Sequence, residues 1–264
     1  MPQKRRTSNG NPDSEDRFQI RSLALNLPPG HAIDSHSHEW HQLIYASRGV
    51  MTVNTKNGSW VVPSRRAVWV PAGINHEIKM TGAVSVRTLY LSPKLKGPLP
   101  KHCRVINVSP LLREMILHTI DVGMLDRSIP SQRRLIGVIV DQLNAVPAVP
   151  LQLPMPSDSR ALRVAETLRD RPGDTTSLEH LASGAGASKR TLERIFQSET
   201  RMTFGKWRQQ LRLLHALKLL ASGESVTAVA FEVGYDSTSA FIASFKNSLG
   251  TTPGRYYSDG RARL

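Results

Sequence analysis

The chain has 264 residues, enough for one large or two ordinary domains at about 100 to 200 residues each. With 39% hydrophobic and 21% charged residues it has the composition of a globular protein, which excludes a fibrous or wholly disordered chain. The net charge of +14 suits a polyanionic partner, nucleic acid or an anionic membrane surface, while the single cysteine, Cys103, excludes a disulfide framework and any zinc module built on two or more thiolates.

The start, MPQKRRTSNGNPDSEDRF, is basic but never passes into the apolar run of a secretory signal, so residues 1–20 are expected to form a disordered arm. From Arg21 to Leu91 short β-branched and aromatic runs alternate with Gly, Pro and Asn, the texture of an antiparallel sandwich or barrel over residues 21–98. Asn57-Gly58 is its clearest hairpin signal, because both residues tolerate the positive φ of a tight turn.

Past SPKLKGPLPKH the periodicity changes. Leu112, Met115, Ile116, Thr119 and Ile120, then Leu135, Val138, Ile139, Gln142 and Leu143, fall at helical spacing and predict amphipathic helices over Pro110–Val122 and Ser131–Val146. These either cap the barrel or pair with a second subunit; the second reading makes residues 99–146 a dimerisation region and the protein a homodimer. Four prolines between 147 and 156 mark residues 147–158 as a semi-rigid linker. No apolar run approaches the roughly 20 residues of a membrane span, so no membrane partner is expected and the location is read as cytoplasmic.

Residues 159–264 read as helical throughout and carry an internal repeat at a period of 48 to 49 residues. Leu178, Leu181, Ala182, Ala185 and Gly186 recur as Val226, Val229, Ala230, Val233 and Gly234. After one inserted residue, Ser188, Leu192, Phe196, Thr203 and Trp207 recur as Ser237, Phe241, Phe245, Thr252 and Tyr256. Each unit is a short helix, a glycine turn and a second helix with its own apolar stripe, the plan of a helix-turn-helix. Ser188, and Asp236 or Ser237, stand where N-caps belong. Between the units, Trp207, Leu211, Leu214, Leu217 and Leu220 stripe one continuous helix with Lys and Arg opposite, which would hold two readers about one DNA turn, roughly 34 Å, apart.

The runs SLEHLASGAGASKRTLERIFQSE, FGKWRQQLRLLHALKLLASG and VTAVAFEVGYDSTSAFIASFKNSLGTTPGRYY resemble the AraC/XylS family of transcription regulators over about 100 residues. The resemblance implies a reader whose two units enter adjacent major-groove segments of double-stranded DNA, with RNA polymerase as a further partner. In the first reading helix, Ser188 to Gln197, the outward residues are Lys189, Arg190, Thr191, Glu193 and Arg194. Arginine can pair in bidentate fashion with guanine and glutamate can accept from cytosine, so Arg190, Glu193 and Arg194 are candidate base readers. The second helix exposes Thr238, Ser239, Ile242 and Ala243, none capable of a bidentate base contact, so Ser237, Thr238, Ser239 and Lys246 are expected to position the unit on phosphates. Arg201 departs from the family pattern by standing where a glycine usually ends the first reading helix, which predicts a left-handed residue or a different helix stop.

Histidines cluster in the amino-terminal half. Gly30-x5-His36-x-His38-x3-Gln42-x6-Gly49 and the later Pro71-Ala72-Gly73-Ile74-Asn75-His76 resemble the two cupin motifs over about 60 residues. Alternation along a strand lets His36 and His38 face the interior together with His76. The resemblance implies a two-domain α+β architecture, a cupin-like barrel with flanking helices followed by an all-α domain with two helix-turn-helix units. Two features depart from the motifs: Gln42 replaces the ligating glutamate, and Arg65 replaces the glycine that opens the second motif. A neutral amide is a poorer metal ligand, which favours a cofactor-free pocket in which His36, His38, Gln42 and His76 hydrogen-bond an unknown small-molecule effector. A metal held by the same four residues and purely structural histidines are the alternatives. Trp40, Tyr45, Trp60 and Trp69 are candidate apolar walls. A ligand-responsive transcription regulator, not an enzyme, is the leading expectation, with a metal-dependent cupin enzyme carried on a DNA-binding module as its rival.

Charge alone misdirects. Residues 157–264 carry 16 basic and 11 acidic side chains, whereas residues 1–156 carry 19 and 10, so the larger excess lies outside the expected DNA reader.

Overall fold

A computed structural model describes residues 17–258 apart from Asn57 and Pro150. Most of the expected arm therefore lies outside the described residues, and its last three positions belong to the sheet, since Phe18 opens β1 (Phe18–Leu27). Six more strands follow: β2 (Ala32–His36), β3 (His41–Thr55), β4 (Gly58–Pro63), β5 (Arg66–Val70), β6 (His76–Leu91) and β7 (Arg104–Asn107). The long strands β3 and β6 pair antiparallel with each other and change outer partners midway. β3 gives Gln42–Ala46 to β5 and Val50–Thr55 to β4, and β6 gives Val84–Leu91 to β1 and its first residues to β2. Irregular register around Arg48 bends the pair, as an extra residue in one strand does.

β3 reads as a nearly continuous apolar run because both of its faces are covered. Leu43 and Tyr45 pack with Trp69, Leu89 and Leu91 under two helices, while Ile44 and Ala46 pack with Val68 and Val86 on the other side. The helices are α1 (Pro110–Val122) and α2 (Pro130–Ala145), each begun by a proline whose missing N–H costs nothing in the first turn. They lay Leu112, Met115, Ile116, Ile136, Ile139 and Leu143 on the sheet. The region expected to be helical is thus mixed: it also supplies β7, and β8 (Met124–Asp126), which pairs with β1.

The expected linker is stitched down at its start. Residues 147–158 form two short edge strands, β9 (Ala148–Val149) on β7 and β10 (Gln152–Leu153) on β4, with Leu151 wholly buried. Proline tolerates such edges, where its missing donor is not needed. The hairpin signal is displaced by one residue: Thr55 pairs with Gly58, so Gly58 begins β4 instead of completing the turn.

Beyond it come α3 (Ser159–Asp170), α4 (Leu178–Gly184), α5 (Lys189–Ile195), a π-helical turn (Phe196–Thr200), α6 (Phe204–Ala221), α7 (Val226–Glu232), α8 (Thr238–Leu249) and α9 (Pro253–Ser258). Ser177, Ser188, Thr203, Ser225 and Ser237 each cap a helix by accepting a backbone N–H, so the repeat is written in its caps as well as its apolar stripes. The two repeat turns hold Gly186 at φ 70° and Gly234 at φ 79°. At Gly234 a side chain has no room either, because a Cβ would lie 2.5 Å from the carbonyl oxygen of Gly173.

One apolar cluster runs from the sheet through Leu151 and Leu153 to α6 and both helix-turn-helix units. The α6 helix is buried at Trp207, Leu211, Leu214 and Leu217 of the expected stripe and also at Leu213 and Ala216, so its covered face is wider than the stripe.

Candidate functional sites: a DNA-reading surface and a histidine pocket

The first reading helix is α5, extended by the π turn. Leu192, Ile195 and Phe196 anchor it inward, leaving Lys189, Arg190, Glu193 and Arg194 exposed, while Thr191 is half-buried. Two of the five candidates have local partners. Lys189 forms an ion pair with Glu179 of α4 at 2.5 Å, and the Thr191 hydroxyl lies 2.9 Å from that of Ser188. Arg190, Glu193 and Arg194 make no ion pair among the described residues. The helix ends at Arg201, which sits at φ 62° in the left-handed region.

The second reading helix, α8, is anchored by Phe241 and Phe245. Ser239, Ala243 and Lys246 are exposed and Thr238 is half-covered; Ile242, expected on the surface, is half-buried against the core. Ser237, not Asp236, is the N-cap, accepting from Ala240 N at 3.2 Å. Tyr235, in the turn, meets Ser244 hydroxyl to hydroxyl at 2.7 Å and fixes the helix against its turn. Each unit thus presents a helix bearing charged or polar groups, and α6, about 27 Å long, joins them.

The sensor half gathers His36, His38 and His76. Their ring centroids are 4.7, 4.5 and 5.6 Å apart, and one ligand nitrogen from each lies within 4.8 Å of the others. Backbone carbonyls orient two of the rings: Nδ1 of His36 is 2.6 Å from Asp34 O, and Nδ1 of His76 is 2.9 Å from Ile74 O. An Nδ1–H donated to each carbonyl leaves Nε2 of both rings as a lone pair. Gln42 Oε1 lies 3.0 Å from His76 Nε2, and Gln42 Nε2 donates to Thr88 Oγ1 at 3.2 Å. Because Thr88 Oγ1 gives its proton to Leu43 O, Gln42 keeps its NH2 toward Thr88 and its Oε1 toward His76, so an oxygen and the Nε2 lone pair face each other unless a proton or a cation lies between them.

Burial keeps the His38 and His76 imidazoles below the usual histidine pKa. Neighbouring imidazoles push both further down, while the Ile74 carbonyl partly counteracts this at His76. The buried Nε2 of His38 has no hydrogen-bond partner among the described residues. Two residues missed by sequence reasoning complete the site. Thr88 anchors Gln42, and Tyr90 stands edge-on to His38 at a centroid distance of 5.1 Å. The signal was available in β6, where residues 84, 86, 88 and 90 alternate onto one face and Gln42 registers with Tyr90. Tyr45 and Trp69, proposed as pocket walls, instead belong to the core beneath α1 and α2.

The donor set fits a divalent ion. Three imidazoles converge, two have tautomers set by carbonyls behind them in the manner of metal-ligating histidines, and the third has an orphaned nitrogen. His36, His38 and His76 would hold the ion, with Gln42 beside His76 as a weaker oxygen donor.

An antiparallel sheet domain with a histidine pocket, joined to two helix-turn-helix units, is the build of a DNA-binding transcription regulator. Residues 13–139 match the family described as AraC-like ligand binding domain, and residues 181–259 match the helix-turn-helix domain. The chain is 38% identical over 221 residues to the HTH-type transcriptional regulator NimR of Escherichia coli K12, covering 84% of this chain and 81% of that protein. It is 24% identical over 268 residues to the HTH-type transcriptional activator RhaS of Escherichia fergusonii, covering 91% and 94%. Among solved structures it is similar to ToxT from Vibrio cholerae O395, at 13% identity and a TM-score of 0.40, covering 94% of this chain and 100% of that one. The chain belongs to the AraC family of helix-turn-helix transcription regulators with an amino-terminal ligand-binding domain. Its relatives are regulators, which sets aside the rival expectation of a cupin enzyme. No helix among the described residues is long and apolar enough to cross a membrane.

Proposed function

We propose that the protein reads its operator mainly through the first helix-turn-helix and docks on phosphates through the second, under control of an effector in the histidine pocket. The observation that carries the reading is the contrast between the exposed faces: Arg190, Glu193 and Arg194 on α5 against Ser239, Ala243 and Lys246 on α8. Only the first set contains groups able to address a base pair through two hydrogen bonds. Lys189 and Thr191, held by Glu179 and Ser188, serve the backbone, as do Ser237 and Thr238 at the N-terminus of α8. Binding-site selection with randomised duplexes tests the division: Arg194→Ala relaxes the preferred sequence, and Ser239→Ala weakens all sequences alike. Equal loss of sequence preference in both variants rejects it.

His36, His38, Gln42 and His76 bind the effector, and their convergence also favours a second reading in which a divalent cation sits among them. Metal content of the purified protein, with zinc or nickel titration of wild type and His38→Ala, separates the two. Near-stoichiometric metal lost in His38→Ala supports the cation.

We assign residues 21–98 with the flanking β7, α1, β8 and α2 to the sensor, residues 147–158 with their two edge strands to the junction and residues 159–264 to the reader. Homodimerisation through α1, α2 and β8 is supported by Leu111, Val122, Met124, Ile129 and Val138. These are five of the seven large hydrophobic side chains exposed among the described residues. Sedimentation of a monomer at micromolar concentration, with and without DNA, rejects it. Phe231, 56% exposed on α7, is our candidate contact for RNA polymerase.

A further inference from the structure

We propose that the cleft between the sensor sheet and helices α3 and α6 binds a small hydroxylated anion, a sugar phosphate or sugar acid, through Lys218, Arg169 and Lys79. This site is separate from the histidine pocket and does not depend on that reading. The cleft encloses about 690 Å³, the size of a metabolite site. Cations reach it from both domains: Lys79 from β6, Arg169 from α3 and Lys218 from α6, with Lys56 at the β3–β4 turn.

Their charge is incompletely matched. Lys79 pairs with Glu77 at 3.0 Å, and Asn54 occupies the same carboxylate at 2.8 Å. Glu166 also lines the cleft but makes no ion pair among the described residues, and Lys218 and Arg169 have no carboxylate partner there. Lys218 is the most costly of these. Burial holds its ammonium below the ordinary lysine pKa, and Arg169 and Lys79 push in the same direction. A half-buried cation facing two others is stabilised by an anion placed between them.

The rest of the lining selects the kind of anion. Thr52, Thr81 and Ser59 offer hydroxyls, and apolar contact is confined to Met155 and Leu162. Such a wall suits a polyhydroxylated body and is unsuited to a lipid chain. Because the binding groups come from both domains, the anion binds the docked arrangement more tightly than an undocked one and thereby biases where the reader sits.

The test is thermal unfolding of the full chain, without DNA, in glucose 6-phosphate or gluconate, with glucose and with sodium chloride at matched ionic strength as controls. A saturable rise with either anion, and not with the controls, is expected. Lys218→Met and Arg169→Gln each weaken the apparent affinity on the order of tenfold, as loss of a charge-assisted hydrogen bond does, and Lys218→Arg retains most of it. A response to glucose 6-phosphate alone assigns the site to phosphate, and to gluconate alone, to carboxylate. A rise no larger than in sodium chloride, one unchanged in both Lys218→Met and Arg169→Gln, or one abolished by Arg190→Ala instead, overturns the proposal.

Discussion

Trp207 donates its indole N–H to the carbonyl oxygen of Pro154 at 2.7 Å, joining the central helix of the reader to the segment that leaves the sensor. Gln210 repeats the contact one turn on by donating to Gln152 O at 3.3 Å, and the Glu199 carboxylate accepts from Ser157 N at 2.6 Å and Asp158 N at 3.1 Å. The junction is therefore a fastened strap. Trp207→Phe keeps a ring against Phe196 but leaves a partly buried carbonyl without its donor, a loss of about 0.5–1.5 kcal/mol. Denaturant unfolding measures that cost, and limited proteolysis should show faster cleavage within residues 147–158.

Two arginines occupy glycine conformations. Arg65, at φ 65°, is held by its N–H to Ala46 O at 3.1 Å and by Val108 N on its carbonyl at 3.0 Å; Arg201, at φ 62°, closes the π turn. These are the only non-glycine residues with positive φ among those described, and both stand where the motif resemblances call for glycine. Arg65→Gly and Arg201→Gly should each raise stability by about 0.5–1 kcal/mol by relieving left-handed strain, partly offset by glycine's greater freedom when unfolded. Chemical denaturation of the single and double variants checks the gain, which should be additive because the two arginines share no hydrogen-bond partner among the described residues.

The helices over 110–122 and 130–145 are legible in the sequence to within a residue because Pro110 and Pro130 fix their starts and apolar spacing fixes their faces. The reader is legible because Ser188 and Ser237 are caps and Gly186 and Gly234 are turns, all local requirements. What is lost is long-range. Val149, Leu151 and Leu153 alternate as a strand should, but four intervening or flanking prolines hide the pattern, and only pairing with Val105 and Ser59 makes it structure. In the pocket, the His36-x-His38 spacing is visible, whereas Thr88 and Tyr90 enter through the β3–β6 register, which no short motif encodes. Tyr45 and Trp69 show the converse: their identities suit a pocket wall, but strand alternation turns them toward the helices.

The histidine pocket gives the protein an acid-sensitive stability. Burial lowers the folded-state pKa values of His38 and His76 below the ordinary 6.5. Above that value the rings are neutral in both folded and unfolded chains, so they add no pH dependence. As pH falls below it, the unfolded chain takes up protons that the folded pocket refuses, and stability declines until the folded pKa values are passed. Stability should therefore fall as the pH drops below the ordinary histidine value of 6.5, and His38→Gln should flatten that slope. Denaturant midpoints above and below that value measure it; a slope unchanged in His38→Gln contradicts the assignment.

A phosphate contact and a base contact leave different marks on binding curves. Lys246 lies exposed on α8 with no ion pair among the described residues, and its neighbours Ser239 and Ala243 offer no base-specific fork. Replacing one lysine that neutralises a phosphate removes about 0.9 from the slope of log K against log salt while leaving sequence preference intact. Lys246→Ala should do this, whereas Arg190→Ala should lower affinity for the preferred site more than for random DNA and thereby shrink the ratio between them. Fluorescence anisotropy at several salt concentrations on both duplexes separates the variants. If Lys246→Ala leaves the slope unchanged, α8 does not track the backbone through this residue, and the second unit's docking must rest on the helix N-terminus at Ser237 and Thr238.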